Sequence, residues 1–193
     1  MNRPYWIWTN EPSTDEAAIF YGVPQVIKDL NLTFNTGERI ERDVPLIEIV
    51  QDSHSQGVLT DNLIAAGAKG LVCSSRLRNI FCKNGVANYQ QFPVSIHNTV
   101  SNALSYDYAL INILESASCI DTEKSTLVYH PSIPGYIEFI HSLVLKTSDL
   151  VPFDLFRSRE VPELILVSDL IKCVCEEEGI SGVKFYSPES YRL

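Results

Sequence analysis

The chain has 193 residues, of which 45 % are apolar, and its formal net charge is −9 at pH 7. This length suits one domain spanning residues 1–193, and the apolar content excludes long intrinsically disordered stretches. The acidic balance argues against direct nucleic-acid binding, which requires a basic stripe, and favours a basic protein partner. Solubility alone is the alternative reason for the acidity.

The chain also lacks the features of a membrane or secreted protein. Its apolar runs are shorter than the roughly 18 residues that a membrane helix needs, and its first residues lack the apolar core of a signal peptide. We therefore predict a cytoplasmic protein with no membrane partner. Its five cysteines are an odd set in apolar surroundings, which predicts buried, reduced thiols rather than a disulfide framework: Cys73, Cys82, Cys119, Cys173 and Cys175.

The N-terminal residues "PYWIWTN" alternate and are aromatic, which predicts a strand. A helix is predicted in "TDEAAIFYG", with Ser13 or Thr14 as its N-cap and Gly22 after its end. Pro24 then begins a second short helix, "PQVIKDL". The residues "FNTGERIERD" predict a turn or hairpin, and "VPLIEIVQ" predicts another strand.

A third helix is predicted in "TDNLIAAGAKG", with Thr60 as its cap and Gly67 at its end. After it, residues 69–94 form a unit that residues 163–186 repeat in pattern. Each unit has an apolar strand, a capping serine, an amphipathic helix, a glycine and a second strand. In the first unit the cap is Ser74 or Ser75, the inward residues are Leu77, Ile80 and Phe81, and the glycine is Gly85. In the second unit the cap is Ser168, the inward residues are Leu170, Ile171 and Val174, and the glycine is Gly179.

The residues between the two units predict strands in "YDYALINILES", "STLVYH" and "GYIEFIHSLVLK", because Ile, Val, Tyr and Phe dominate them. The fold class is therefore α+β, with a mixed sheet and several short helices. Each of the two units is βαβ-like, and we expect them to flank one sheet that the middle strands complete.

The sequence carries no recognised catalytic or cofactor motif. His54 and Asp52 are at most half of a metal site, and a solvated loop histidine is the simpler interpretation. Asp121 and Glu123 are candidate paired acids, but no base or nucleophile accompanies them. We therefore predict no cofactor, no metal and no catalytic residue, and the alternative is an uncharacterised hydrolase or transferase that uses these two acids.

Two stretches, residues 108–125 and 139–185, resemble a family of bacterial immunity proteins found beside polymorphic toxin genes. The family was formerly catalogued as a domain of unknown function, and the likeness covers roughly residues 58–187. The motifs that carry it are Asn112 in a tyrosine-led strand, Asp121 with Ser125, Phe156 with Arg157, Val167 with Ser168, and Gly182 before an aromatic strand. The "TDNL" at residues 60–63 also resembles the family.

This resemblance implies a non-enzymatic protein that binds and neutralises a co-encoded toxin, and it implies no catalytic site. A general adaptor is a third class of function. We expect the matching polar residues to have structural roles: Asn112, Asp121, Ser125, Arg157, Ser168 and Gly182.

Three glutamates, Glu176, Glu177 and Glu178, occupy the predicted last turn of the second unit's helix. The negative end of the helix dipole opposes acidic side chains there. We therefore predict that these residues form an electrostatic footprint for a basic toxin, the alternative being a merely soluble helix end.

Overall fold

The computed structural model describes residues 4–11, 16–146 and 153–193. These residues form thirteen strands, three α-helices and two short 3-10 helices (Ala66–Ala68 and Pro188–Ser190). The strands are β1 (Tyr5–Thr9), β2 (Ile19–Phe20), β3 (Ile47–Gln51), β4 (Asn62–Ala65), β5 (Leu71–Ser74), β6 (Tyr89–Asn98), β7 (Ala103–Ile113), β8 (Ser116–Ala117), β9 (Thr126–Tyr129), β10 (Ile137–Ser142), β11 (Leu155–Ser158), β12 (Ile165–Ser168) and β13 (Lys184–Tyr186). The α-helices are α1 (Gln25–Asp29), α2 (Ser75–Lys83) and α3 (Asp169–Glu177).

The strands form three sheets. A six-stranded sheet has the order β2-β4-β5-β7-β6-β3, and a five-stranded sheet has the order β13-β1-β12-β11-β8. Both are mixed, because β2 pairs with β4, β3 with β6 and β8 with β11 in parallel while the other pairs are antiparallel. β9 and β10 form a separate two-stranded sheet. The predicted α+β class with mixed sheets is confirmed.

The two similar units have the same topology in different sheets. In the first unit, β5 and β6 both pair antiparallel with β7, which lies between them. In the second unit, β12 and β13 both pair antiparallel with β1. Each helix therefore connects two parallel strands across one intervening strand. The expectation that both units flank one sheet is wrong, because the N-terminal strand β1 completes a second sheet.

A central hydrophobic cluster joins the two large sheets. Alternate residues of β5 and β12 enter it together with the buried faces of α2 and α3, as Cys73, Val167, Leu77 and Ile171 show. The intervening residues of the same strands face two outer clusters. Since both faces of these strands are buried, their sequences are continuous apolar runs rather than alternating patterns.

Two predicted helices are wrong. Ile19–Phe20 is a strand that pairs with β4 rather than part of a helix. The N–H of the preceding residue, Ala18, donates to Val58 O at 2.9 Å. The suggested caps Ser13 and Thr14 lie outside the described residues. Asn62–Ala65 is likewise a strand, paired antiparallel with β5. In both places tertiary pairing overrides a modest helical preference.

Three smaller predictions also need correction. Thr60 does not cap a helix; its hydroxyl donates to Asn62 O at 2.7 Å. Leu170 faces solvent, with 46 % of its surface exposed, although Ile171 is buried as predicted. Residues 34–43, all of which are described, contain bends and no strand, so the hairpin alternative for this stretch is wrong.

Candidate functional site

The two capping serines hold the starts of α2 and α3 in the same way. Leu77 N–H donates to Ser74 Oγ at 3.2 Å, and Ile171 N–H donates to Ser168 Oγ at 3.5 Å. Each hydroxyl in turn donates to an aspartate at the start of the neighbouring strand: Ser74 to Asp61 at 2.8 Å, and Ser168 to Asp154. Both serines are buried N-caps, so their hydroxyls serve helix initiation.

Asp61 connects the first unit to the second. Besides Ser74, its carboxylate accepts from Ser181 N–H at 3.1 Å and from Ser181 Oγ at 3.0 Å. Arg76 forms an ion pair with the same carboxylate at 3.1 Å. Arg76 also donates to the carbonyl oxygens of Glu178 and Gly179 at the end of α3. The first turn of α2 therefore satisfies carbonyl groups that the last turn of α3 leaves without helical partners.

Gly182 lies beside this junction and requires the absence of a side chain. Its φ is +80°, and a Cβ there would lie 2.0 Å from Asn62 O and 2.5 Å from Thr60 Oγ1. The close approach lets the buried Asn62 donate from Nδ2 to Gly182 O at 2.9 Å. The same amide donates to Asn10 Oδ1 at 2.9 Å. The family-motif glycine therefore joins the C-terminal loop to β4.

The three glutamates at the end of α3 are all exposed. Lys172 forms an ion pair with Glu176 at 2.6 Å, and its Nζ also lies 4.5 Å from the centre of the Trp6 ring. The hydrogen bond to Glu176 raises the pKa of Lys172. Within the described part of the chain, Glu177 and Glu178 form no ion pair. Two of the three carboxylates are therefore directed at solvent without a compensating charge.

The remaining motif residues lie apart from this junction and from one another. Asn112 is buried in β7 and donates to Glu38 O at 2.8 Å and to Gln90 Oε1 at 3.1 Å. Arg157 is buried in β11, so the Phe156–Arg157 pair lies within a strand rather than after one. Arg157 donates to Pro162 O at 2.7 Å.

Asp121 and Ser125 lie together in one turn. Ser125 N–H donates to Asp121 O at 2.9 Å, and Ser125 Oγ accepts from Val144 N–H at 2.9 Å. Asp121 pairs with Lys124 at 2.8 Å and accepts from the N–H of Glu123, and the bond from Lys124 lowers the pKa of the Asp121 carboxyl. A carboxyl shifted in this direction is a poor proton donor near neutral pH.

Asp52 serves its own turn rather than a metal. It accepts from the N–H groups of His54 and Ser55 at 2.9 and 3.1 Å. These bonds, led by the one from His54, lower the pKa of Asp52. Across residues 4–11, 16–146 and 153–193, no three His, Cys, Asp or Glu side chains are grouped so that they could hold a metal ion. No helix of these ranges is long and apolar enough to span a membrane.

The five cysteines are free. Burial raises the pKa of the Cys119 and Cys175 thiols to about 12, and it raises the pKa of Cys73 further. Such thiols are protonated at neutral pH and are poor nucleophiles. Cys82 alone among the five is exposed.

Sequence reasoning gave Arg76 and Ser181 no role in the junction and found Asp61 only as part of the family-like "TDNL". One signal was present: an aspartate directly precedes β4 and β11, 13 residues before Ser74 and 14 before Ser168. The bond from Ser181 to Asp61 had no such signal, because these residues are 120 positions apart.

Comparison with known proteins gives one match. The model of the immunity protein family Imm11 matches residues 24–189, which is most of the chain. The match begins upstream of the stretch in which the resemblance was recognised and includes both similar units. A comparison with curated proteins gave no match.

Proposed function

The chain belongs to the Imm11 immunity protein family, and from this premise we propose that it binds and neutralises a protein toxin encoded beside its own gene. The family match over residues 24–189 carries the proposal. A protein with this role needs a stable fold and a surface complementary to its target rather than a catalytic centre. Two large sheets joined by one central cluster supply such a rigid scaffold.

We propose inhibition by binding rather than by catalysis. The two acids of the enzyme alternative, Asp121 and Glu123, lie in an exposed turn, and Asp121 is committed to Lys124 and to two backbone N–H groups. The buried thiols and the capping serines have structural environments. These observations favour an interaction surface as the functional feature.

We further propose that the toxin is basic and that the end of α3 contributes to its binding. The net charge of −9 supports this choice of partner, as do Glu177 and Glu178, which are exposed and form no ion pair with any described residue. A negative patch increases the association rate of a positive partner, and this increase becomes smaller as the salt concentration rises. No role for nucleic acid, membrane or cofactor enters the proposal.

The compartment and domain organisation complete the proposal. Five free thiols suit a reducing compartment, so we place the protein in the cytoplasm. We treat residues 1–193 as one domain, since the central cluster takes side chains from both large sheets and from α2 and α3.

Co-purification from the native host tests the proposed partner. The tagged protein is isolated at low ionic strength, and bound proteins are identified by mass spectrometry, with an unrelated acidic protein of similar size as control. The expected result is specific recovery of the product of a neighbouring toxin gene. Repeated recovery of no such product, from cells shown to express it, would contradict the proposal.

A further inference from the structure

A cavity of about 310 Å³ lies where the two large sheets meet. Its lining includes Lys69 in the connection between β4 and β5, Arg157 in β11 and Glu163 in the loop before β12. Asn10 and Asn35 add amide groups, and the remaining lining is mostly apolar. The volume is at the lower end of the range of small-molecule sites, about 300 to 1,000 Å³, and the mixture of a few polar groups with apolar walls is typical of them.

Arg157 is a buried cation without an ion-pair partner among the described residues. Only 3 % of its surface is exposed, its Nη1 donates to one carbonyl oxygen, and its Nε has no hydrogen-bond partner in the described part of the chain. Within the described ranges no carboxylate forms an ion pair with it. Burial lowers the pKa of Arg157 to about 10, so the side chain is still charged at neutral pH. A buried charge without a partner is destabilising, so a site of this kind favours an anionic ligand.

Glu163 is the one carboxylate among the described lining residues; its charge raises the pKa of Arg157, but the two side chains form no ion pair. Its Oε1 instead accepts a hydrogen bond from Asn35 Nδ2 at 3.2 Å. With Lys69 also on the wall, the described lining residues carry two positive charges and one negative charge. This part of the lining therefore has a net positive charge on a protein whose overall charge is −9.

Lys69 is held on this wall in a costly backbone conformation. Its φ is +52°, in the left-handed region that residues with a Cβ seldom adopt. The next residue, Gly70, packs closely against the sheet, since a Cβ there would lie 2.9 Å from Leu110 Cδ1. Lys69 is the C-cap of the 3-10 helix Ala66–Ala68, so its left-handed conformation ends that helix and places this exposed residue at the cavity.

From these observations we propose that the cavity binds a small molecule through an oxyanion, either a carboxylate or a phosphate group. The planar guanidinium of Arg157 supplies the bidentate hydrogen bonding that such groups prefer, and Lys69 supplies a second positive charge. Asn10 and Asn35 also line the cavity, with Asn10 Oδ1 accepting from Asn62 Nδ2 and Asn35 Nδ2 donating to Glu163 Oε1. This site is independent of the proposed toxin interface at the end of α3.

Titration with inorganic phosphate and with acetate, at constant ionic strength, tests the proposal. The Nε–Hε resonance of Arg157 is followed by NMR, and saturable shifts with either anion are expected. Saturation by phosphate alone would assign a phosphate ligand, and saturation by acetate alone would assign a carboxylate. Absence of saturable shifts with both anions would overturn the proposal.

Variants connect the binding to the cavity. Arg157→Met should weaken binding, measured by isothermal titration calorimetry because this variant lacks the Arg157 resonance, by at least about tenfold, the loss expected for a charge-assisted hydrogen bond. Arg159→Gln is the matched control, because Arg159 lies two residues along the chain, is exposed and does not line the cavity. Unchanged affinity in Arg157→Met would refute the site.

Glu163→Gln provides a second variant that leaves Arg157 in place. Removing the negative charge of Glu163 should tighten anion binding several-fold, and Glu189→Gln, at an exposed carboxylate elsewhere, should leave it unchanged. Equal or weaker binding in Glu163→Gln would contradict the proposed charge balance, even if Arg157→Met failed to fold.

Discussion

The two similar units share one helix-start design but differ in what surrounds it. At α3 the capping serine and its aspartate act on the start of their own helix. At α2 the equivalent aspartate, Asp61, also binds Ser181 and Arg76, and Arg76 reaches the last carbonyl groups of α3. The first unit thus organises the contact between units, while the second presents its acidic helix end to solvent. A repeated pattern in sequence therefore does not imply a repeated role.

The largest expected loss of stability is at Gly182, the second-unit glycine that packs against Thr60 and Asn62. Gly182→Ala should destabilise the protein by about 3 kcal/mol or more, because the new Cβ would overlap Asn62 O at a positive φ. Urea unfolding followed by circular dichroism measures the loss. Gly85→Ala is the control, since its φ is +74° and no atom lies within 4 Å of a Cβ there. A control as damaging as Gly182→Ala would contradict the close-contact explanation.

The second-largest loss of stability is expected when Asp61 is replaced. Asp61→Ala removes acceptors for Ser74, Arg76 and Ser181, so we expect a loss of about 2 to 3 kcal/mol. Ser74→Ala removes the cap and its bond to Asp61 but leaves the contacts of Asp61 with Arg76 and Ser181, and it should cost about 1 kcal/mol. Chemical denaturation of both variants gives the difference. Equal losses would show that the contacts of Asp61 with the second unit contribute nothing to stability.

Removing either capping hydroxyl alone should lower the free energy of unfolding by nearly the same amount. Ser168→Ala, like Ser74→Ala, should cost about 1 kcal/mol and lower the melting temperature by roughly 2 to 4 °C. Differential scanning calorimetry measures both variants. If Ser168→Ala abolished toxin neutralisation while the melting temperature stayed unchanged, Ser168 would have a direct functional role instead.

The smallest stability effect is expected at the helix ends, which differ in charge. The last turn of α2 carries Lys83, whereas that of α3 carries no basic residue and ends in glutamates. Replacing Glu176, Glu177 and Glu178 by glutamine should leave stability equal or raise it by a few tenths of a kcal/mol. The variant loses the unfavourable interaction of three carboxylates with the helix dipole, and the loss of the Lys172–Glu176 ion pair partly offsets this gain.

The same triple variant should slow association with the toxin and reduce its salt dependence. Stopped-flow kinetics at low ionic strength measures the rate. A triple glutamine variant of exposed acids elsewhere, at Glu41, Asp43 and Glu189, controls for the change in net charge. Association as fast in the helix variant as in the unaltered protein would remove this surface from the interface.

Local patterns predicted the parts of the fold that local physics determines. The apolar runs of β5 and β12, the capping serines and the glycines after α2 and α3 were all recognised, because a cap or a left-handed residue depends on its immediate neighbours. β4 was predicted as a helix because its burial depends on distant partners. Asn62 is held by Asn10 and Gly182, which lie 52 and 120 positions away.

The sites were less predictable than the fold. The glutamates of α3 are conspicuous in sequence because they oppose the helix dipole. Arg157 was recognised only as part of a family motif, since its burial and its unpaired Nε result from packing between β11, Pro162 and the neighbouring sheet. Charge alone does not reveal that one arginine is exposed and another is enclosed two residues away.

The most direct test of the central claim is a titration of the purified toxin, identified from the neighbouring gene, with increasing amounts of this protein. Binding predicts that toxin activity falls linearly and ends at a molar ratio set by a fixed stoichiometric complex, which size-exclusion chromatography with light scattering should isolate. Complete protection far below equimolar amounts would instead indicate enzymatic inactivation of the toxin. Undiminished toxin activity at a large molar excess would contradict the immunity function itself.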